Sequence, residues 1–149
     1  MNKAVFVVLL AWAVAPCGFP QESTEIEREK AAIRQAALHY LEGWYEGNAS
    51  RMETALHPEL VKRSIDQLPT GRSVVRSLTA LTMVEFTRAG GGKNTPKEKQ
   101  KNEVTVLAVD GDIATAKTIS ADYIDYLHLV KVDGQWKIIN VLWQPKSRK

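Results

Sequence analysis

Cysteine is nearly absent from this 149-residue chain, in which Cys17 stands alone. One thiol cannot build an internal disulfide framework or a Cys-based zinc site. Charge of one sign is also scarce. Twenty Lys and Arg face 17 Asp and Glu, for a formal net charge of +3, whereas a groove for nucleic acid needs a denser basic stripe. P-loop, GxGxxG and HExxH motifs are missing, and so is any internal repeat. The motif-bearing nucleotide and zinc-hydrolase sites therefore have no footing here. What remains is 44% hydrophobic and 25% charged, the composition of an ordinary globular protein with room for one domain.

The N-terminal segment reads as an address. Lys3 is followed by an unbroken apolar run, Ala4 to Ala15. That run is too short to span a bilayer, which takes about 20 apolar residues. With the small residues that follow, it matches a secretory signal peptide. Residues 1–18 are assigned to that signal and 19–149 to a single exported domain, periplasmic or secreted. Ala13-Val14-Ala15 looks like a cleavage box, although Pro16 follows it, and a cut after Cys17 or Gly18 also fits. Val14-Ala15-Pro16-Cys17 resembles a lipobox. On that alternative, Cys17 carries lipid and tethers the protein to a membrane.

The mature chain divides into helices first and strands later. Ser23 or Thr24 can cap a first helix. In it, Ile26, Ile33, Ala37, Tyr40, Leu41 and Trp44 recur on one stripe, and His39 falls opposite, towards solvent. Gly47-Asn48 ends it. Asn48 caps a short second helix, which stops at His57-Pro58 because a residue before proline is pushed out of the helical region. A short strand over Glu59 to Ile65 and a Pro69-Thr70-Gly71 turn follow. Thr79 caps a third helix, Ala80 to Ala89, with Leu81, Met83 and Val84 inward and Gly90-Gly91-Gly92 at its end. Lys93 to Lys101 is a polar basic loop, read as solvated rather than as an anion grip. From Glu103 the period becomes two. Strands are expected over 104–109, 113–120, 126–132 and 135–143, with Asp110-Gly111 and Asp133-Gly134 as hairpin turns. The order argues for an α+β fold with helices on one face of a mostly antiparallel sheet.

The last hairpin sets the sheet faces. A two-residue Asp133-Gly134 loop puts Lys131 opposite Trp136, Leu129 opposite Ile138, and Leu127 opposite Asn140. One face then carries Asp125, Leu127, Leu129, Trp136, Ile138, Asn140 and Leu142, and is assigned to the interior. The other carries Tyr126, His128, Ile139, Val141 and Trp143. That apolar patch rimmed by polar groups reads as a homodimer interface. A bulge near the turn would reverse the assignment.

Three segments together carry a family resemblance. They are Ala36 to Asn48 (AALHYLEGWYEGN), the His57-Pro58 pair, and Asp125 to Ile138 (DYLHLVKVDGQWKI). The chain from about Glu25 to Trp143 resembles the nuclear transport factor 2-like superfamily, closest to its bacterial lumazine-binding branch near the SnoaL-like polyketide cyclases. The resemblance implies a cone-shaped α+β barrel of three N-terminal helices on a curved sheet. It also implies a pocket between helices and sheet, and frequent dimers through the outer sheet face. Relatives include isomerases, dehydratases, cyclases and plain binding domains.

The residues themselves nominate a site. Asp125, an inward carboxylate, and His57, at the end of the second helix, are the catalytic candidates for acid and base. The plain alternatives are an Asp125 bonded to backbone or to Arg63, and a His57 that favours the negative end of a helix dipole. Tyr40, Trp44, Trp136 and Asn140 are candidates for the pocket lining. No cofactor is called for. A metal site from His57, His128 and Asp125 is disfavoured because the register puts His128 outside. The leading function is an exported module binding a small apolar or heteroaromatic molecule. One alternative is a cofactor-free isomerase or dehydratase using Asp125 and His57. Another is a dimeric scaffold or interaction domain.

Overall fold

The computed structural model describes residues 21–146. The apolar segment read as an export signal lies outside the described residues, as does Cys17. Three helices, α1 (Gln21–Glu46), α2 (Ala49–Ala55) and α3 (Ala80–Arg88), pack on a six-stranded sheet. The strands are β1 (Leu56–Gln67), β2 (Ser73–Thr79), β3 (Glu103–Asp110), β4 (Ile113–Ile119), β5 (Tyr123–Val132) and β6 (Gln135–Pro145). The sheet order is β2-β1-β6-β5-β4-β3. Every neighbouring pair is antiparallel except β1 and β6. This is the expected α+β architecture: helices over one face of an open, curved sheet.

Local chemistry explains most boundaries. The Asn48 side chain accepts a hydrogen bond from the Arg51 amide, and Thr79 accepts one from the Thr82 amide. Both are N-caps that satisfy an amide the helix cannot. α1 runs back through the Ser23-Thr24 pair expected at its start. Asp133 and Gly134 both have positive φ, 50° and 74°. That backbone matches the right-handed twist of the flanking strands. At the β3–β4 turn, Gly111 alone has positive φ. The loop there is Gly111-Asp112, since Asp110 already pairs with Ile113.

The core is built from Ile33, Ala37, Tyr40 and Leu41 of α1, Met52 and Ala55 of α2, and Met83 and Val84 of α3. They pack on Leu127, Leu129, Ile138 and Val141 of the sheet. Leu81, expected inward, is 70% exposed. α3 is short, and the face it buries runs through Ala80, Met83, Val84 and Thr87, which leaves Leu81 on the far side.

The register of the last hairpin holds only near its turn. Lys131 pairs with Trp136 and Leu129 with Ile138, as expected. Beyond them His128, not Leu127, pairs with Asn140, and Leu127 pairs with Val141. β6 therefore carries one extra residue, Ile139, in a bulge. The bulge exchanges faces for the rest of the strand. Val141 is fully buried and Trp143 is half-buried against the core, while Leu142 is 54% exposed. Asn140 lies outside, bonded to Arg63 and next to His128. Asn140 and Leu142 thus leave the interior set, and Val141 and Trp143 leave the outer set proposed for a dimer.

Trp136 anchors α1 to the sheet. Its indole N–H donates to Glu29 (2.6 Å), which also pairs with Lys131 (2.6 Å). These two hydrogen bonds, from Lys131 first and Trp136 second, hold the Glu29 carboxyl below its usual 4.5. A carboxylate shifted down in the folded state stabilises the fold above its unfolded value, and that stabilisation is lost as pH falls through the lower, folded value. Glu29→Gln is expected to flatten the loss of stability below pH ~4.5 that the parent shows, as read by thermal melts across an acid series.

Candidate functional site

A cavity of about 180 Å³ opens between α1, α3 and the inner face of the sheet. Its walls are apolar: Leu41 and Trp44 from α1, Leu78 from β2, Met83 and Phe86 from α3, and Tyr123 from β5. Phe86, half exposed, and Arg76, exposed and paired with Asp66, stand at its mouth. At the deep end lie Tyr40, Lys62, Asp125 and Trp143.

The deep end is a buried ion pair. Lys62 Nζ donates to Asp125 Oδ1 at 2.7 Å, with side chains 7% and 2% exposed. Lys62 also donates to the Tyr40 hydroxyl, and Tyr40 in turn donates to Asp125 Oδ1 at 3.2 Å. Thr118 donates to Asp125 Oδ2 at 3.3 Å. Sheet pairing explains the assembly. Thr118, Asp125 and Trp143 form one row across β4, β5 and β6. Lys62 sits on β1, on the far side of β6 from Asp125. Two strand spacings amount to about 10 Å, which takes a long side chain to cross. The Lys62 stem does so over Trp143, with its ammonium 4.9 Å from that ring's centroid and 5.1 Å from the Tyr40 centroid. Tyr123 packs edge-on against Trp143 at 5.1 Å.

Burial governs the electrostatics. It lowers the Lys62 ammonium from its usual range, and Asp125 opposes the shift. It pushes the Tyr40 hydroxyl well above the ordinary phenol range, with the Asp125 charge acting in the same direction. Tyr40 therefore stays a neutral donor at physiological pH.

Of the residues nominated from the sequence, the structure gathers Tyr40, Trp44 and Asp125 at this cavity. Trp136 is buried elsewhere, tied to Glu29, and Asn140 is on the opposite face of the sheet. His57 is not among the cavity residues. It lies in β1, where its Nδ1 accepts from the Glu59 amide at 3.1 Å. His128 is exposed on the outer face. His39 is half-buried and bonded to Arg51 rather than free in solvent; burial lowers its imidazole, with Arg51 and Lys137 adding to the shift. Lys62 carries no local sequence signal of its own. The available signal was the need of an inward Asp125 for a cation. Arg63, the partner the sequence offers for it, is one residue off and faces the other way, towards Asn140.

Gly91 and Gly92 do more than end α3. A Cβ at Gly92 would lie 2.3 Å from Trp44 Cδ1 and 2.7 Å from the Trp44 carbonyl oxygen. One at Gly91 would lie 2.1 Å from the same ring. The glycine loop thus clamps the Trp44 ring that walls the cavity. Gly92→Ala is expected to cost about 1–3 kcal/mol and to shift the tryptophan emission spectrum, as read in denaturant titrations.

Among curated proteins none matches the chain. Among solved structures, an NTF2-like protein of unknown function from Shewanella baltica superposes with a TM-score of 0.64 at 17% identity, over 82% of this chain and 97% of its own. A second, from Silicibacter pomeroyi, gives 0.63 at 12% identity, over 81% and 98%. An NTF2-like protein with a cystatin-like fold from Novosphingobium aromaticivorans gives 0.60 at 11%, over 86% and 88%. At these identities they establish the fold. Residues 28–144 match the profile of the family described as "Putative lumazine-binding". That match spans every helix and strand apart from the first turns of α1 and the last residue of β6, and the chain belongs to this family.

Proposed function

We propose that the domain binds a small, largely apolar or heteroaromatic molecule in the cavity between α1, α3 and the sheet. The observation that carries this reading is the pairing of apolar, partly aromatic walls with a polar group sequestered at the deep end, the composition small-molecule sites favour. The family's description supports it. The size of the cavity bounds the guest. A cavity of about 150 Å³ holds benzene, so 180 Å³ encloses one ring and leaves any further ring at the mouth, beside Phe86 and Arg76. Two tryptophans, Trp44 and Trp143, line the space and report on it. Titration of the full chain with lumazine, followed by tryptophan emission, is expected to show saturable quenching. The narrowing substitution Leu78→Phe should abolish it without loss of fold. Quenching that never saturates, or that survives Leu78→Phe, would remove the reading.

A second reading, proton transfer without a cofactor, finds support in the hydrogen-bonded Lys62, Asp125 and Tyr40 at the cavity. It would rest on those three, because His57 is not at the cavity. The proposed setting is outside the cytoplasm, on the strength of Lys3 and the Ala4 to Ala15 run. N-terminal sequencing of the mature protein should then begin between Pro16 and Glu22.

A further inference from the structure

The deep end of the cavity holds more hydrogen-bond donors than the protein satisfies. Lys62 has three N–H groups. Two go to Asp125 and Tyr40, and the third meets no acceptor among the described residues. Tyr40 spends its own hydroxyl hydrogen on Asp125. Trp143, the ring under the Lys62 ammonium, has a buried indole N–H without a partner, the one such side-chain atom among the described residues. A buried donor left unmet costs free energy, and two of them belong to neighbouring side chains lining one cavity. Asp125, in contrast, is enclosed by Lys62, Tyr40 and Thr118 and is 2% exposed. The flanking walls are rings and aliphatic chains suited to a flat guest: Trp44 and Tyr123 with Leu78 and Met83.

We infer that the cavity selects a planar ring bearing a carbonyl or carboxylate oxygen, which accepts from Lys62 Nζ and Trp143 Nε1 at the deep end. This rests on the ligand-binding reading above and specifies its chemistry. The burial that lowers Lys62 favours the same class of guest, since an acceptor oxygen replaces hydration the ammonium has lost.

Four one-ring probes separate the outcomes: acetophenone (a neutral carbonyl), benzoate (a carboxylate), ethylbenzene (no oxygen) and benzylammonium (donors only). Isothermal titration of the full chain is expected to show acetophenone or benzoate binding about tenfold more tightly than ethylbenzene, with benzylammonium weakest. Trp143→Phe keeps the wall and removes one donor, and should cut that preference several-fold. Lys62→Met/Asp125→Leu removes the other donor while keeping the volume filled, and should have the same effect. Ethylbenzene binding as well as acetophenone would overturn the donor pair and leave the site standing. A preference for benzylammonium would also overturn it, by showing that Asp125 is the group recognised. Failure of all four to bind would remove both the inference and the reading beneath it.

Discussion

Asp125→Ala is expected to destabilise the domain by about 3–5 kcal/mol, and Lys62→Met by a similar amount, whereas Lys62→Met/Asp125→Leu should recover most of the loss. The reason is the asymmetry of buried ion pairs. The attraction between the partners barely exceeds what both lost on leaving water. Removing one of them strands the other charge without water or counterion. Here the stranded group would be Lys62 or Asp125, with side chains only 7% and 2% exposed. Replacing both with apolar groups of similar volume removes both desolvation costs at once. Tyr40 and Thr118 would lose an acceptor in the double variant, so recovery should be incomplete. Urea unfolding of the parent, both single variants and the double variant gives the coupling directly. Additive losses would show that the pair does not act as a unit. A double variant that is stable yet binds no oxygen-bearing ring would show that the charges serve recognition rather than the fold.

The sequence discloses the fold far better than the deep end of the cavity, and single residues show why. Caps and turns are local chemistry. Asn48, Thr79 and Asp133-Gly134 act within three residues of themselves, so their roles are legible in the chain. The stripe on α1 is legible for the same reason, and it correctly aims Tyr40 and Trp44 at the sheet. β2 is not legible. Its residues Val74 and Val75 are 41% and 66% exposed, and at this edge of the sheet no buried face imposes an alternation of apolar and polar residues. β1 is misleading in its polarity. Leu60, Lys62 and Ser64 face inward, while Ile65 is 64% exposed. Burying Lys62 rather than its apolar neighbours makes sense only once Asp125 is known to lie across β6. That fact depends on the parallel pairing of β1 with β6, a long-range contact with no local signature. The polar cluster is therefore half legible in the sequence, as an inward Asp125 in want of a partner.

Val141→Glu is expected to cost about 4 kcal/mol or more, enough to unfold much of a domain of ordinary stability, whereas Leu142→Glu should change stability by no more than about 0.5 kcal/mol. An unbroken hairpin would give the opposite result. Its two-residue alternation puts Leu142 in the core and Val141 on the outer face, where a glutamate would merely spoil an interface. The bulge at Ile139 decides the matter. One extra residue in β6 moves every later side chain to the other face. Val141 then pairs with Leu127, and both are buried to 1% exposure or less. A glutamate at 141 would bury a second carboxylate beside Leu127 and Lys62, whose ammonium is already held by Asp125. At 142 it would join Tyr126 on the solvent side, since Tyr126 pairs with Leu142 and both are about half exposed. The same shift carries Trp143 inward to support Lys62, so the bulge that relocates Val141 also builds the deep end of the cavity. Denaturant midpoints of the two variants read the register directly. A stable Val141→Glu together with an unfolded Leu142→Glu would restore the unbroken alternation and remove Trp143 from beneath Lys62.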